Sequence, residues 1–74
     1  MHHLAILREP LPEMTPPTIR AARDQLGLSQ NELAQLLGTT GYTISRWETG
    51  SQPVRLPRML YWALRGLGWQ PTAQ

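Results

Sequence analysis

Arginine is the residue type with the most distinctive chemistry in this 74-residue chain, which has seven arginines and no lysine. Residues 38–74 carry a net charge of +3, whereas residues 1–37 carry −1. The second half owes its charge to Arg46, Arg55, Arg58 and Arg65, with Glu48 as its one acid. A guanidinium group binds phosphates and guanine edges through two parallel hydrogen bonds, which an ammonium group cannot form. The net charge of +2 is too small to indicate a nucleic-acid partner by itself, but its distribution concentrates this chemistry in the second half.

Other kinds of chemistry find little support in the sequence. The chain has no cysteine, which excludes disulfides and thiolate metal sites. His2 and His3 are adjacent and would point apart on a strand, so we expect no metal site there. No Ser/His/Asp triad, carboxylate pair or glycine-rich phosphate loop is recognisable, and the chain is short for a small-molecule pocket. We therefore predict no enzyme activity, no cofactor and no metal.

The sequence also lacks the patterns of membrane and secreted proteins. No apolar run approaches the roughly 20 residues that a membrane helix needs. The first residues lack the extended apolar core of a secretory signal. We therefore expect a cytoplasmic protein without a membrane partner.

Signals that start and stop helices divide the chain into four predicted helices. A serine, threonine or proline opens each one, because short polar side chains cap free backbone N–H groups and proline fits the first turn. Ser29 and Glu32 have the spacing of a capping box. A glycine ends each helix, since glycine adopts the left-handed conformation cheaply. The helices are expected at about 15–26, 29–37, 40–49 and 57–67. The fold class predicted from them is all-α, a compact domain of four or five helices.

Apolar residues at spacings of three and four mark the face that each helix should bury. They are Ile19, Ala22 and Leu26; Leu33, Leu36 and Leu37; Ile44 and Trp47; and Leu56, Leu60, Ala63, Leu64 and Leu67. Large apolar side chains that are left over predict a homodimer interface, made of Met59, Trp62 and Trp69. The alternative is that Trp62 and Trp69 complete the core of the monomer by packing with the N-terminal residues.

The two ends of the chain are expected to lie outside the helical domain. Pro10 and Pro12 favour extended backbone, so residues 1–14 are interpreted as an arm. Within it, residues 4–7 are apolar and could form a short strand or a dimer clasp, and a disordered tail is the alternative. The predicted organisation is an arm at 1–14, a domain at 15–68 and a C-terminal tail at 69–74.

The second and third predicted helices meet the steric needs of a helix-turn-helix. Ala34 is small enough for the close crossing of the helices, and Gly38 suits the turn.

The stretch LGLSQNELAQLLGTTGYTISRWETG, residues 26–50, resembles the Cro/repressor-type (XRE) helix-turn-helix family, and most of all the lambdoid phage repressors. The resemblance lies in L-G-L-x-Q-x-E-L-A-Q, in G-T-T and in I-x-x-x-E-x-G. It implies a lambda-repressor-like domain with its helix-turn-helix at about 29–48.

The resemblance also implies a role for individual residues on double-stranded DNA. The third helix would enter the major groove, with base contacts from Thr40, Tyr42, Thr43 and Arg46. Contacts to the DNA backbone would come from Ser29, Gln30, Thr49, Arg55 and Arg58. For the last two, a merely solvated role is the alternative. Arg23 and Glu48 match a structural ion pair of the family.

Gly41 departs from the family pattern, because close phage relatives carry long polar side chains there. Glycine offers no base contact, so base readout must shift to the residues that follow it. Arg46 is then the best candidate to bind a guanine, the commonest specific contact of arginine.

Two functions from different classes fit these observations. The leading prediction is a sequence-specific transcriptional regulator, a repressor of the phage Cro-like, antitoxin-like or anti-defence autorepressor kind, which binds a pseudo-palindromic operator as a homodimer. The alternative is a protein–protein interaction module on a helix-turn-helix scaffold that no longer binds DNA. Gly41 and the low net charge favour this second possibility.

Overall fold

The computed structural model describes residues 11–71 and contains four helices in that range. We number them α1 (Pro16–Leu26), α2 (Gln30–Leu37), α3 (Gly41–Thr49) and α4 (Pro57–Gly66). The predicted all-α fold class is confirmed. The strand or clasp predicted at residues 4–7 lies outside the described residues, as do His2 and His3.

Side-chain caps explain where the first three helices begin. Thr15 Oγ1 accepts a hydrogen bond from the backbone N–H of Thr18 at 3.3 Å, and Thr40 Oγ1 accepts one from Thr43 at 3.2 Å. In the capping box of α2, Ser29 Oγ accepts from the N–H of Glu32 at 3.0 Å, while Glu32 Oε1 accepts from the N–H of Ser29 at 2.8 Å. Caps of this kind contribute about 1 kcal/mol each. Helix α4 begins at Pro57 without a side-chain cap.

The turn between α2 and α3 brings the two helices of the helix-turn-helix together. Gly38 has φ of 79°, a left-handed conformation that strains other residues. The backbone N–H of Thr39 donates to the carbonyl of Ala34 at 2.9 Å and closes the turn. Ala34 is buried, and α3 packs against both α2 and α1. Helix α3 is thereby held from two sides.

A single apolar core joins the four helices. Its buried members are Ile19, Ala22, Leu33, Ala34, Ile44, Leu60, Tyr61, Leu64 and Trp69. Three residues that we expected on buried faces, Leu36, Leu56 and Leu67, are exposed instead. The buried face of α4 passes through Tyr61, one position away from the expected stripe, because Tyr61 packs edge to face against Trp69 with ring centroids 5.7 Å apart.

The segment after α4 folds back onto the domain. Trp69 is only 5% exposed, so the prediction that it lies in a dimer interface is corrected: it is a core residue. The side chain of Gln25 in α1 holds this segment by two hydrogen bonds to the backbone of Gln70, one donated at 3.0 Å and one accepted at 2.8 Å. At the other end, Leu11 and Met14 from the predicted arm also pack against the core.

No helix within residues 11–71 has the length and apolar character to cross a membrane.

Candidate nucleic-acid interface

A buried ion pair fixes the orientation of α3 against α1. Arg23 Nε donates to Glu48 Oε2 at 2.7 Å, and Arg23 Nη2 donates to Oε1 at 3.0 Å. Arg23 Nη1 also donates to the carbonyl of Leu28 at 2.9 Å. The side chains are 13% and 4% exposed, respectively. Such a two-pronged, charge-assisted pair has one preferred geometry, so it sets the angle at which α3 is presented.

The ion pair shifts the titration of both partners. The hydrogen bonds from Arg23 hold the pKa of Glu48 below its ordinary value, and a bond from Gln30 adds to this against the opposing effect of burial. The pKa of Arg23 is raised, chiefly by the same hydrogen bonding to Glu48. Both groups are therefore charged at neutral pH.

The start of α2 is joined to this pair. Gln30 Nε2 donates to Glu48 Oε1 at 3.2 Å, so the glutamine that we predicted to bind DNA phosphate is oriented by the ion pair. Ser29, which we also predicted to contact the DNA backbone, uses its hydroxyl in the capping box of α2. Ser29 is exposed and Gln30 half-buried.

The predicted base-contacting threonines are engaged with each other. The hydroxyls of Thr40 and Thr43 lie 3.1 Å apart, and Thr40 Oγ1 also caps α3. Both side chains lie at the N-terminal end of α3, Thr40 exposed and Thr43 half-buried. They therefore stabilise the helix start, and their hydroxyls present oxygen and O–H groups at the surface.

Tyr42, Arg46 and Gln52 form a side-chain cluster on α3 and the loop after it. Arg46 Nη1 donates to the Tyr42 hydroxyl at 2.7 Å, and Arg46 Nε donates to Gln52 Oε1 at 3.1 Å. The guanidinium carbon lies 5.2 Å from the centre of the Tyr42 ring, in cation–π range. Tyr42 itself is 70% exposed. The cluster thus holds an arginine in a defined place at the surface.

This arrangement leaves Arg46 with hydrogen-bonding capacity for a ligand. A guanidinium group has five N–H donors. Within the described part of the chain, side-chain partners engage one hydrogen on Nε and one on Nη1. The two hydrogens on Nη2 and one on Nη1 stay available for an acceptor outside the chain.

Gly41 lies against the side chain of Asn31, which belongs to the first turn of α2. A Cβ atom at Gly41 would overlap Oδ1 of Asn31 and lie 3.0 Å from its Cγ. The glycine that departs from the family pattern is therefore explained by a close approach of Asn31.

The remaining predicted backbone contacts lie after α3. Thr49 Oγ1 donates to the carbonyl of Arg46 at 3.3 Å and lies 2.8 Å from the Ser51 hydroxyl. Arg55 and Arg58 are exposed, the first in the loop before α4 and the second in its first turn.

Two polar residues of this surface, Gln52 and Asn31, were missed by the sequence analysis. Gln52 lies beyond the glycine that ends α3, and its backbone N–H donates to the carbonyl of Arg46 at 3.3 Å. No helical spacing connects Gln52 to Arg46, so the sequence carries no signal for this contact. For Asn31 the sequence did carry a signal. Gly41 lies in the first turn of the helix that we expected to enter the major groove, and a glycine there suggests a close neighbour.

The predicted dimer residues on α4 are exposed. Trp62 is 45% exposed, stacked edge to face on Tyr61 with ring centroids 4.8 Å apart, and Met59 is exposed one turn earlier. Among residues 11–71, no group of three or more histidines and acidic residues is placed to hold a metal ion.

Comparisons with known proteins bear on this surface. A helix-turn-helix family model matches residues 19–60, which is more than half of the chain and runs from within α1 into α4. The search of curated proteins and the search of solved structures gave no match.

Proposed function

Because the chain belongs to the Cro/repressor-type helix-turn-helix family, we propose that it is a sequence-specific DNA-binding repressor of transcription. The family is one of DNA-binding regulatory domains rather than enzymes. The observation that carries the proposal is the Tyr42–Arg46–Gln52 cluster, which holds a guanidinium group in place at the surface of α3. A side chain positioned before binding loses less conformational freedom on the DNA.

Arg46 is the proposed base-reading residue. Its free N–H groups suit the two acceptors that guanine presents in the major groove, O6 and N7. Tyr42 orients it and, because its ring is largely exposed, also contacts a thymine methyl group or a phosphate. Thr40 and Thr43 contribute the remaining base contacts at the start of α3.

The backbone contacts are proposed to fix the register of the protein on the duplex. Ser29 and Gln30 lie at the N-terminus of α2, where free N–H groups and the helix dipole favour an anion. Arg58 lies in the first turn of α4. The dipole of α4 disfavours a cation at this end of the helix unless an anion is bound beside it. Arg55 and Thr49 complete the set of proposed phosphate contacts.

We propose that the protein acts as a homodimer through Met59 and Trp62 of α4. Both large apolar side chains are exposed on one helix, as is common where a second subunit covers them. A two-fold dimer presents two α3 helices about one turn of DNA apart, which predicts a pseudo-palindromic operator.

Binding-site selection from random double-stranded DNA at two salt concentrations tests the proposal. We expect enrichment of a pseudo-palindrome that contains guanine, with an affinity that falls as salt rises, because phosphate contacts release counterions. Arg46→Ala should weaken binding to the selected site by about 1–3 kcal/mol and relax the preference for guanine.

A matched control for Arg46 lies on α4. Arg65 donates from Nη1 to the hydroxyl of Tyr61 at 3.0 Å, which is the same arginine–tyrosine pairing at the same spacing. Arg65→Ala removes an equal charge, and the selected sequence should stay unchanged. If Arg65→Ala and Arg46→Ala have equal effects, Arg46 does not read a base.

A second candidate function is a protein-interaction module that has lost DNA binding. The exposed apolar pair on α4 favours it, because this surface suits any apolar partner. Failure of the parent protein to enrich any sequence at low salt would support this candidate and refute the regulator.

A further inference from the structure

Asn31 of α2 and Gly41 of α3 approach each other closely. The carboxamide of Asn31 occupies the position that a Cβ atom at Gly41 would take, and the Asn31 Cα lies 3.5 Å from the same point. The first turn of α2 therefore reaches across to the first turn of α3. Among residues 11–71, no other glycine has a neighbour within 3.4 Å of its missing Cβ.

The direction of that missing Cβ is important for DNA binding. In an α-helix each Cα–Cβ bond tilts towards the N-terminus of the helix. Gly41 is the first residue of α3, so a side chain there would project from the end of the helix that enters the groove in helix-turn-helix proteins. Asn31 places a polar group in that same direction, although it is carried by a different helix.

Asn31 packs against Gly41, but no hydrogen bond within residues 11–71 uses its carboxamide. The residue is exposed. The capping of α2 is already provided by Ser29 and Glu32. The carboxamide therefore retains hydrogen-bonding capacity for a ligand at the N-terminal end of α3, with its Oδ1 lying against Gly41.

We propose that Asn31 is a specificity-determining residue that reads a base edge in place of the absent side chain at Gly41. This role of Asn31 rests on the proposed function. A carboxamide offers one acceptor and one donor side by side, which match N6 and N7 of adenine in the major groove. Base readout then comes from two helices, with Arg46 on α3 and Asn31 on α2.

Binding-site selection with parent, Asn31→Ala and Gly41→Ala proteins tests the inference. Asn31→Ala should reduce the preference for adenine at one position of each half-site by about 5- to 150-fold and leave the other positions unchanged. Gly41→Ala should cause the same loss at the same position, because the added methyl group displaces the carboxamide of Asn31. Gly41 has helical backbone, so alanine adds no backbone strain there, and the overlap is with the far end of the flexible Asn31 side chain.

The double variant and a control make the test specific. Asn31→Ala combined with Gly41→Ala should lose no more preference than either single variant, since both act on one contact. Gln35→Ala is the control, because it removes an exposed carboxamide one turn later on α2. Thermal unfolding followed by circular dichroism establishes that each variant is folded.

The outcomes separate this inference from the proposed function. If the parent selects a site and Asn31→Ala selects the same site with equal preference at every position, the inference is wrong and the regulator stands. A uniform loss of affinity over all sequences would mean a phosphate contact, which also overturns base reading. If the parent selects no sequence at all, the proposed function fails and this inference fails with it.

Discussion

Removing the carboxylate of Glu48 should destabilise the protein severely. Glu48→Ala deletes both hydrogen bonds from Arg23 and the one from Gln30. The Arg23 side chain, 13% exposed, then keeps only the Leu28 carbonyl and the exposed Asp24 carboxylate, 3.7 Å away, as partners. Breaking a buried ion pair by removing one partner costs about 3–5 kcal/mol. At about 0.05–0.15 kcal/mol per residue, a domain of this length has a total stability of about 4–11 kcal/mol. The variant should therefore lose at least a quarter of its stability.

Urea denaturation monitored by tryptophan fluorescence measures this loss. With a slope of about 1–3 kcal/mol per molar urea, the midpoint of Glu48→Ala should fall by about 1 M or more. A double-mutant cycle isolates the pair. Arg23→Ala together with Glu48→Ala should be less destabilised than the sum of the single variants, because the second substitution removes the charge that the first one left unpaired.

A small loss of stability would show that the pair does not behave as a buried one. A loss below about 1 kcal/mol in Glu48→Ala, with additive single variants, would mean that the pair behaves like an exposed surface salt bridge. The orientation of α3 would then have to depend on apolar packing alone. Arg55→Ala is a suitable control, because this exposed arginine lies in the loop before α4 and takes no part in the hydrogen bonds of the pair.

The pKa of Glu48 is lowered by Arg23, so its contribution to stability is full above the ordinary glutamate value of 4.5 and is lost as pH falls through the folded-state pKa. Urea midpoints of the parent and of Glu48→Ala should therefore converge as pH falls below 4.5 through the folded-state pKa, and a constant difference would contradict this. Gln30→Ala should weaken binding to all DNA sequences alike in a salt-dependent binding assay, whereas a change confined to one base position would argue against a phosphate contact. Trp62→Ala should raise the dimer dissociation constant at least about tenfold in sedimentation equilibrium, with exposed Leu36→Ala as control; a monomeric parent would disprove the dimer.

Helix boundaries were predictable from sequence because the signals for them are local. Thr15, Ser29 and Thr40 each cap a backbone group three residues away, and Gly38 adopts the left-handed conformation that its position in the turn requires. These interactions form within one helical turn, so the nearby sequence is sufficient to specify them. The helix-turn-helix and its family followed from the same stretch.

The burial of the aromatic residues could not be predicted in this way. Tyr61 and Trp62 are neighbours on α4, and only one of them can face the core fully, since successive residues point about 100° apart. The choice depends on Trp69, which packs against Tyr61, and on Gln25 of α1, which holds Gln70 in place from 45 positions away. No local pattern encodes such a contact.

The candidate DNA surface likewise combines features that local sequence predicts with contacts that depend on the whole fold. The sequence alone determined that Arg46 and Tyr42 share one face of a helix, because their spacing of four residues places them one turn apart. The contact of Gln52 with Arg46 and that of Asn31 with Gly41 arise only in the folded chain. The physical reason is that helix spacing follows from backbone bonds between near neighbours, whereas these contacts depend on how the turn, the core and the Arg23–Glu48 pair set the angle between helices.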